Sequence, residues 1–187
     1  MIFWALGAIL AFLGITKGEA AAETVTDFVE EHMDSWTQYD ALFKRYTQIY
    51  GVEDWRYLKA IAMNESSLGK AKSVARGLEA PWDIEGSKSY DGKSWGLMQV
   101  TLTTGKWLDP MCTEEKLNNP DYSVKLAADL FARNQKTFNR YEPRWLEWVV
   151  KSYNQGAGNT KKEMAGGPGY ANEYWARFER NYERTLA

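Results

Sequence analysis

Apolar residues recur at helical spacing through most of the chain, and glycines and prolines divide that pattern into segments. From Glu23 to Tyr50, Val25, Phe28 and Val29 and then Tyr39, Leu42, Phe43 and Tyr46 fit one or more helices, stopped by Gly51. A second helix is predicted from about Glu53 and Asp54, acidic residues suited to a helix N-terminus, to Leu68, before Gly69. From Gly69 to Ser94 no period is visible, and Gly77, Pro81, Gly86 and Gly92 mark a long loop with room for a short hairpin. Further helices are predicted over Thr103 to Leu108 and from Pro120 to about Lys136. Another is predicted from Pro143, at the first helical position, with Trp145, Trp148, Val149 and Ser152 on one side. Gly156 and Gly158 are expected to break the chain. The run Gly166-Gly167-Pro168-Gly169 breaks it again, before a last helix from about Tyr170 to Thr185. Strand signal is confined to the region of Tyr90 to Val100, so the expected class is mainly α, with a small hairpin or loop region beside the second helix.

Residues Ile2 to Ile15 form an uninterrupted apolar run. As a helix it would reach roughly 21 Å, short of the about 30 Å of a bilayer core. With Ala20-Ala21-Ala22 following as a small-residue cleavage signal, residues 1–22 are expected to be a signal peptide; a retained membrane anchor or a buried core helix are the alternatives. Residues 23–187 would then be the exported domain, facing the periplasm, the outside of a membrane or a virion membrane.

Composition narrows the chemistry. Net charge is −2, without the concentrated basic face of a nucleic-acid binder. Cys112 is the only cysteine and His32 the only histidine, so neither a cysteine-based zinc site nor a serine–histidine triad can be assembled, and no metal or cofactor is expected. Catalysis, if present, must use carboxylates. Glu65 is the best placed: it shares a helix face with Leu58, Ile61 and Ala62, at the C-terminal end of an apolar stripe. The helix dipole and partial burial both disfavour its charge there, and a raised pKa is what a general acid near neutral pH needs. A rim carboxylate paired with Lys or Arg is the alternative.

Three motifs in order carry a resemblance: Glu65-Ser66-Ser67 at a helix end, Gly96-Leu97-Met98-Gln99-Val100, and Ser152-Tyr153-Asn154-Gln155-Gly156-Ala157-Gly158-Asn159. With Tyr170-Ala171-Asn172-Glu173-Tyr174 near the end, the chain from about Trp55 to Tyr182 resembles the soluble lytic transglycosylase and goose-type lysozyme family, of lysozyme-like fold. The resemblance implies Glu65 as catalytic acid and later base. It implies Met98 and Gln99 as cleft residues, Tyr153 as a tyrosine near the glutamate, Asn154 as a neighbouring amide, and Ser66 as either a substrate contact or a helix-end hydroxyl. Ser152 stands where the family commonly has alanine, and the stretch between Ser67 and Gly96 is longer than usual. Thr101 stands where goose-type lysozymes have an aspartate.

The implied substrate is peptidoglycan, cut at the β-1,4 bond between N-acetylmuramic acid and N-acetylglucosamine with 1,6-anhydro ends. Local wall opening in a secretion, conjugation or virion assembly is a fitting role. A hydrolytic lysozyme would need a second carboxylate, for which Asp91 is closest to the Gly96 motif; Glu79, Asp83 and Glu85 share its loop. An inactive peptidoglycan-binding assembly protein is a third reading. Trp82 and Tyr90 in the same loop are candidate sugar-stacking residues.

Overall fold

A computed structural model describes residues 36–69 and 93–187. The chain divides into two compact units, Met1–Gln38 and Tyr39–Ala187. The expected signal or anchor, the expected helical residues before Trp36 and the loop carrying Trp82, Tyr90 and Asp91 lie outside the described residues. Among the described residues no helix is long and apolar enough to cross a membrane.

The second unit is mainly helical. Helix α1 (Asp40–Tyr50) ends at Gly51, whose φ of 72° is the left-handed cap the sequence predicts. Helix α2 (Trp55–Ser66) starts where the Asp54 carboxylate accepts a hydrogen bond from the Arg56 N–H at 3.0 Å. A two-stranded antiparallel hairpin follows, β1 (Ser94–Trp95) with β2 (Val100–Thr101), pairing Ser94 with Thr101 and Trp95 with Val100. Thr101 also caps α3 (Leu102–Leu108), and Thr113 caps the short α4 (Glu114–Asn118). Asn119 and Pro120 open α5 (Pro120–Thr137), then come α6 (Trp145–Gln155), α7 (Ala157–Met164) and α8 (Asn172–Leu186).

Helix α2 is central, touching α1, α5 and α8. Leu58, Ile61 and Ala62 are fully buried in it, against a core that includes Phe43 of α1, Phe131 of α5 and Phe178 of α8. The stripe read from the sequence is therefore the one that fixes the direction of Glu65.

Three boundaries differ from expectation. Pro143 does not open α6: it lies in a turn closed by Glu142 N–H to Asn139 C=O and Trp145 N–H to Glu142 C=O, both 3.0 Å, and the helix starts at Trp145. The break at Gly156 and Gly158 is one residue wide. Gly156, at φ 80° and ψ 148°, turns the chain, and Gly158 already lies inside α7. The last helix begins at Asn172 rather than Tyr170.

Candidate active site

Helix α2 delivers Glu65 one residue before its end, into a cleft of about 460 Å³ that Gln99, Tyr153 and Asn154 also line. The size falls within the range of small-ligand sites. Past Ser66, the last helical residue, the backbone turns left-handed for three residues, Ser67 at φ 54°, Leu68 at φ 53° and Gly69 at φ 83°. The Ser67 N–H closes on Met63 C=O at 3.1 Å and the Leu68 N–H on Ala62 C=O at 3.2 Å, so the helix end carrying the acid is tightly wound.

Glu65 is set deep in the protein with part of its surface open to the cleft. Burial raises its pKa to about 7, against a hydrogen bond from Tyr174 and the charge of Arg177, which both lower it. The Tyr174 hydroxyl donates to Glu65 Oε1 at 2.6 Å. Tyr174 is buried on α8, and Asn64, the neighbour of Glu65 on α2, donates from Nδ2 to the Tyr174 carbonyl at 3.0 Å. Asn181 Nδ2 in turn donates to Asn64 Oδ1 at 2.7 Å. Helices α2 and α8 are thus clamped at the acid and at the residue before it. Burial and the nearby Glu65 charge hold both Tyr153 and Tyr174 well above the usual phenol range, so both remain neutral donors.

The turn from Gly96 to Gln99 carries Gln99 onto the cleft wall. Gly96, at φ 69°, passes so close to α4 that an added Cβ would meet the Leu117 carbonyl oxygen at 2.0 Å. Side chains from three helices pin the turn: the Ser66 hydroxyl donates to Leu97 C=O at 2.7 Å, Ser123 Oγ accepts from the Met98 N–H at 3.2 Å, and the Tyr153 hydroxyl donates to Met98 C=O at 2.9 Å. Gln99 itself sits at φ 49° and uses one amide hydrogen on Gly96 C=O at 2.8 Å, leaving its carbonyl oxygen for the cleft.

Of the residues expected at the site, Glu65, Gln99, Tyr153 and Asn154 stand together on the cleft wall. Ser66 and Met98 stand behind it: Ser66 takes the helix-end alternative, and the expectation that Met98 lines the cleft is corrected. The Ser66 hydroxyl is buried, donating to Leu97 and accepting from the Gly69 N–H at 3.0 Å, and the Met98 side chain is fully buried in the core. Trp82, Tyr90 and Asp91 lie outside the described residues. Sequence reasoning passed over Tyr174 as a site residue, although it had marked the segment containing it; the signal available was a tyrosine in the final helix of the resemblance. It also passed over Asn64, whose role depends on a contact more than a hundred residues away.

Among the described residues no group of three His, Cys, Asp or Glu side chains is placed to hold a metal ion. What the cleft does hold is a carboxyl group that keeps its proton close to neutrality, with one oxygen fixed by a phenol and the other without a hydrogen bond among the described residues. That arrangement can protonate a departing oxygen and take a proton back.

No curated protein matches the chain. A family model, the transglycosylase SLT domain, matches residues 41–175, which span every residue just described except Asn181 and Arg177. With the mainly helical fold and its small hairpin, this match over well over half the sequence shows that the chain belongs to the SLT transglycosylase family, whose members act on peptidoglycan.

Proposed function

We propose that the protein is an active lytic transglycosylase that cleaves the β-1,4 bond between N-acetylmuramic acid and N-acetylglucosamine, leaving 1,6-anhydro ends. The observation that carries this reading is the state of Glu65, protonated up to about pH 7 and facing a cleft with Tyr174 bonded to its Oε1. The proton on Oε2 passes to the glycosidic oxygen as the bond from that oxygen to C1 of the muramic acid breaks, and the glucosamine unit leaves as an alcohol. The Glu65 carboxylate then takes the proton of the muramic acid 6-hydroxyl while its oxygen bonds to C1. The ring closes, Glu65 is protonated again, and no water is consumed. A hydroxyl already held in the same sugar has a proximity advantage over free water.

The described residues supply this sequence with one carboxylate at the cleft, Glu65. Residues 1–22, read as a signal peptide or membrane anchor, would place the domain 23–187 outside the inner membrane, against the wall. Such a domain suits local wall opening for a secretion, conjugation or virion assembly.

Product analysis on purified sacculi tests the proposal. Anhydro ends from the parental protein and none from Glu65→Gln are expected. Reducing ends, lost on Asp91→Asn, would replace it with hydrolysis; intact sacculi would leave a binding protein.

A further inference from the structure

Asn64 precedes Glu65 on α2, and the chemistry above does not use it. Its Nδ2 donates to the Tyr174 carbonyl at 3.0 Å, while the Tyr174 hydroxyl donates to Glu65 Oε1 at 2.6 Å. Consecutive residues of one helix thus hold the two ends of the same tyrosine. The orientation of the Asn64 amide is fixed by its partners. A carbonyl only accepts, so the nitrogen faces Tyr174, and the oxygen accepts from Asn181 Nδ2 at 2.7 Å. Asn181 is oriented in its turn by Arg184, whose Nη1 donates to Asn181 Oδ1 at 3.5 Å.

The start of α8 gives the Asn64 bond its weight. Ala171 stands at the N-cap and has no side chain to accept from the first N–H groups, and a first turn left in that way frays readily. Contacts from other helices hold it instead. Lys151 of α6 donates to Asn172 Oδ1, two residues ahead of the phenol, and Asn64 of α2 binds at the phenol's own residue.

We propose that Asn64 is a positioning residue for catalysis: by fixing the main chain of Tyr174 it keeps the Tyr174 hydroxyl on Glu65 Oε1 and leaves Oε2 for proton transfer. Asn64 stands outside the cleft lining, so it acts through Tyr174 and not on substrate. The inference rests on the general-acid reading of Glu65 and deepens it. A tie between α2 and α8 with no other role would affect stability and leave the ionisation of Glu65 alone. Among the described residues, the titratable and charged side chains facing Glu65 are Tyr174 and Arg177 of α8 and Tyr153 of α6. Asn64 carries no charge, so a change there reaches Glu65 by moving one of these groups.

The test is a carbon NMR titration of the Glu65 carboxyl in the full chain with isotope-labelled glutamate, the signal being assigned by its loss in Glu65→Gln. Asn64→Leu is close in size but has neither donor nor acceptor. It should raise the titration midpoint by about 0.4–1 on the pH scale, the equivalent of one hydrogen bond. Combined with Tyr174→Phe it should add nothing, because the group through which it acts is gone. Asn181→Ala, which leaves Asn64 present but unoriented, should raise the midpoint by less, and it decides the matter if Asn64→Leu does not fold. A midpoint at the parental value in the folded variant overturns the proposal, and so does an undiminished rise on top of Tyr174→Phe. Sacculus digestion alongside keeps the two readings apart. A parental protein that releases no fragments overturns the transglycosylase reading, while the titration still decides whether Asn64 places the phenol.

Discussion

The Tyr174 hydroxyl donates to Glu65 Oε1 at 2.6 Å across a sequence separation of 109 residues. The bond joins the end of α2 to the first turn of α8, and it opposes the effect of burial on the same carboxyl group. Burial makes the group hold a proton; the phenol keeps that tendency from going further and fixes which oxygen is left to face substrate. The Arg177 guanidinium, 5.8 Å from the centroid of the Tyr174 ring, acts in the same direction as the phenol.

Replacing Tyr174 by Phe should therefore raise the Glu65 pKa above about 7, because a donor that lowers it is removed. The alkaline limb of the pH–rate profile should move upward, while the maximal rate falls about ten- to hundredfold, the scale of one lost hydrogen bond to a charged group. An alkaline limb unmoved by the substitution would separate Tyr174 from the ionisation of Glu65.

Glu65→Gln should lower the cleavage rate on sacculi by about 10² to 10⁴-fold or more, since the amide keeps the shape and loses the transferable proton. It should also change how stability depends on pH. The Glu65 carboxyl has an ordinary value of 4.5 and a folded value of about 7, so between these the native state binds more protons than the unfolded chain. Stability is then fullest below pH 4.5 and falls as pH rises towards 7, by about 3 kcal/mol in total. Glu65→Gln removes that loss. Denaturant titrations at pH 4 and pH 8 should show the variant gaining on the parental protein at the higher pH, and a constant difference would contradict the raised pKa.

The direction of Glu65 was legible because Leu58, Ile61 and Ala62 recur at helical spacing, and burial of that stripe leaves the helix only one orientation. Gly51, Asp54 and Pro120 marked helix ends because capping is local chemistry. Helix α4 left no trace, being five residues long with Leu117 alone buried. Helix α7 was hidden for a related reason: it buries only Thr160 and begins beside Gly156, so it reads as a glycine break. The role of Met98 was misread, and that of Ser66 left open between two readings, since a motif gives order along the chain but not which atoms face the cleft. Tyr174 and Asn64 depend on α2 and α8 meeting, a contact that no local pattern encodes.

The position of Ser66 leads to an expectation that a substrate contact would not share. Ser66→Ala leaves the Leu97 carbonyl and the Gly69 N–H without their partner, at a cost of about 1–3 kcal/mol for buried groups. Thermal unfolding should register the loss, and KM on glycan strands should stay at the parental value. A raised KM with unchanged stability would return Ser66 to the substrate.

The buried ion cluster behind the site should prove more demanding still. Lys151 is wholly buried, with its ammonium 2.9 Å from Glu147 Oε1 and 2.5 Å from Glu163 Oε1, and it also donates to Asn172 Oδ1. Gln155 Nε2 donates to Glu163 Oε2 at 2.8 Å, and Gln155 Oε1 accepts from the Tyr170 N–H at 3.2 Å. The cluster therefore ties α6 and α7 to the first residue of α8, two positions before Tyr174. Burial acts to raise the pKa of Glu163, but hydrogen bonds from Lys151 and Gln155 and the charge of Lys151 outweigh it and hold the group below its ordinary value. Lys151→Met would leave the part-buried Glu163 without its cation, while Glu147 keeps Arg144, at a cost of about 3 kcal/mol. The sign of the pH dependence follows. In the parental protein a lowered Glu163 value contributes stability above its unfolded pKa, lost as pH falls through the folded one; in Lys151→Met the Lys151 part of that contribution disappears and only the Gln155 bond remains, so the deficit should be largest near neutrality and shrink in acid. Adding Glu163→Gln should recover part of the loss by removing the stranded charge, and a double-mutant cycle in denaturant measures the coupling. Strictly additive losses would mean that the two side chains stabilise the fold independently, against the geometry of the cluster.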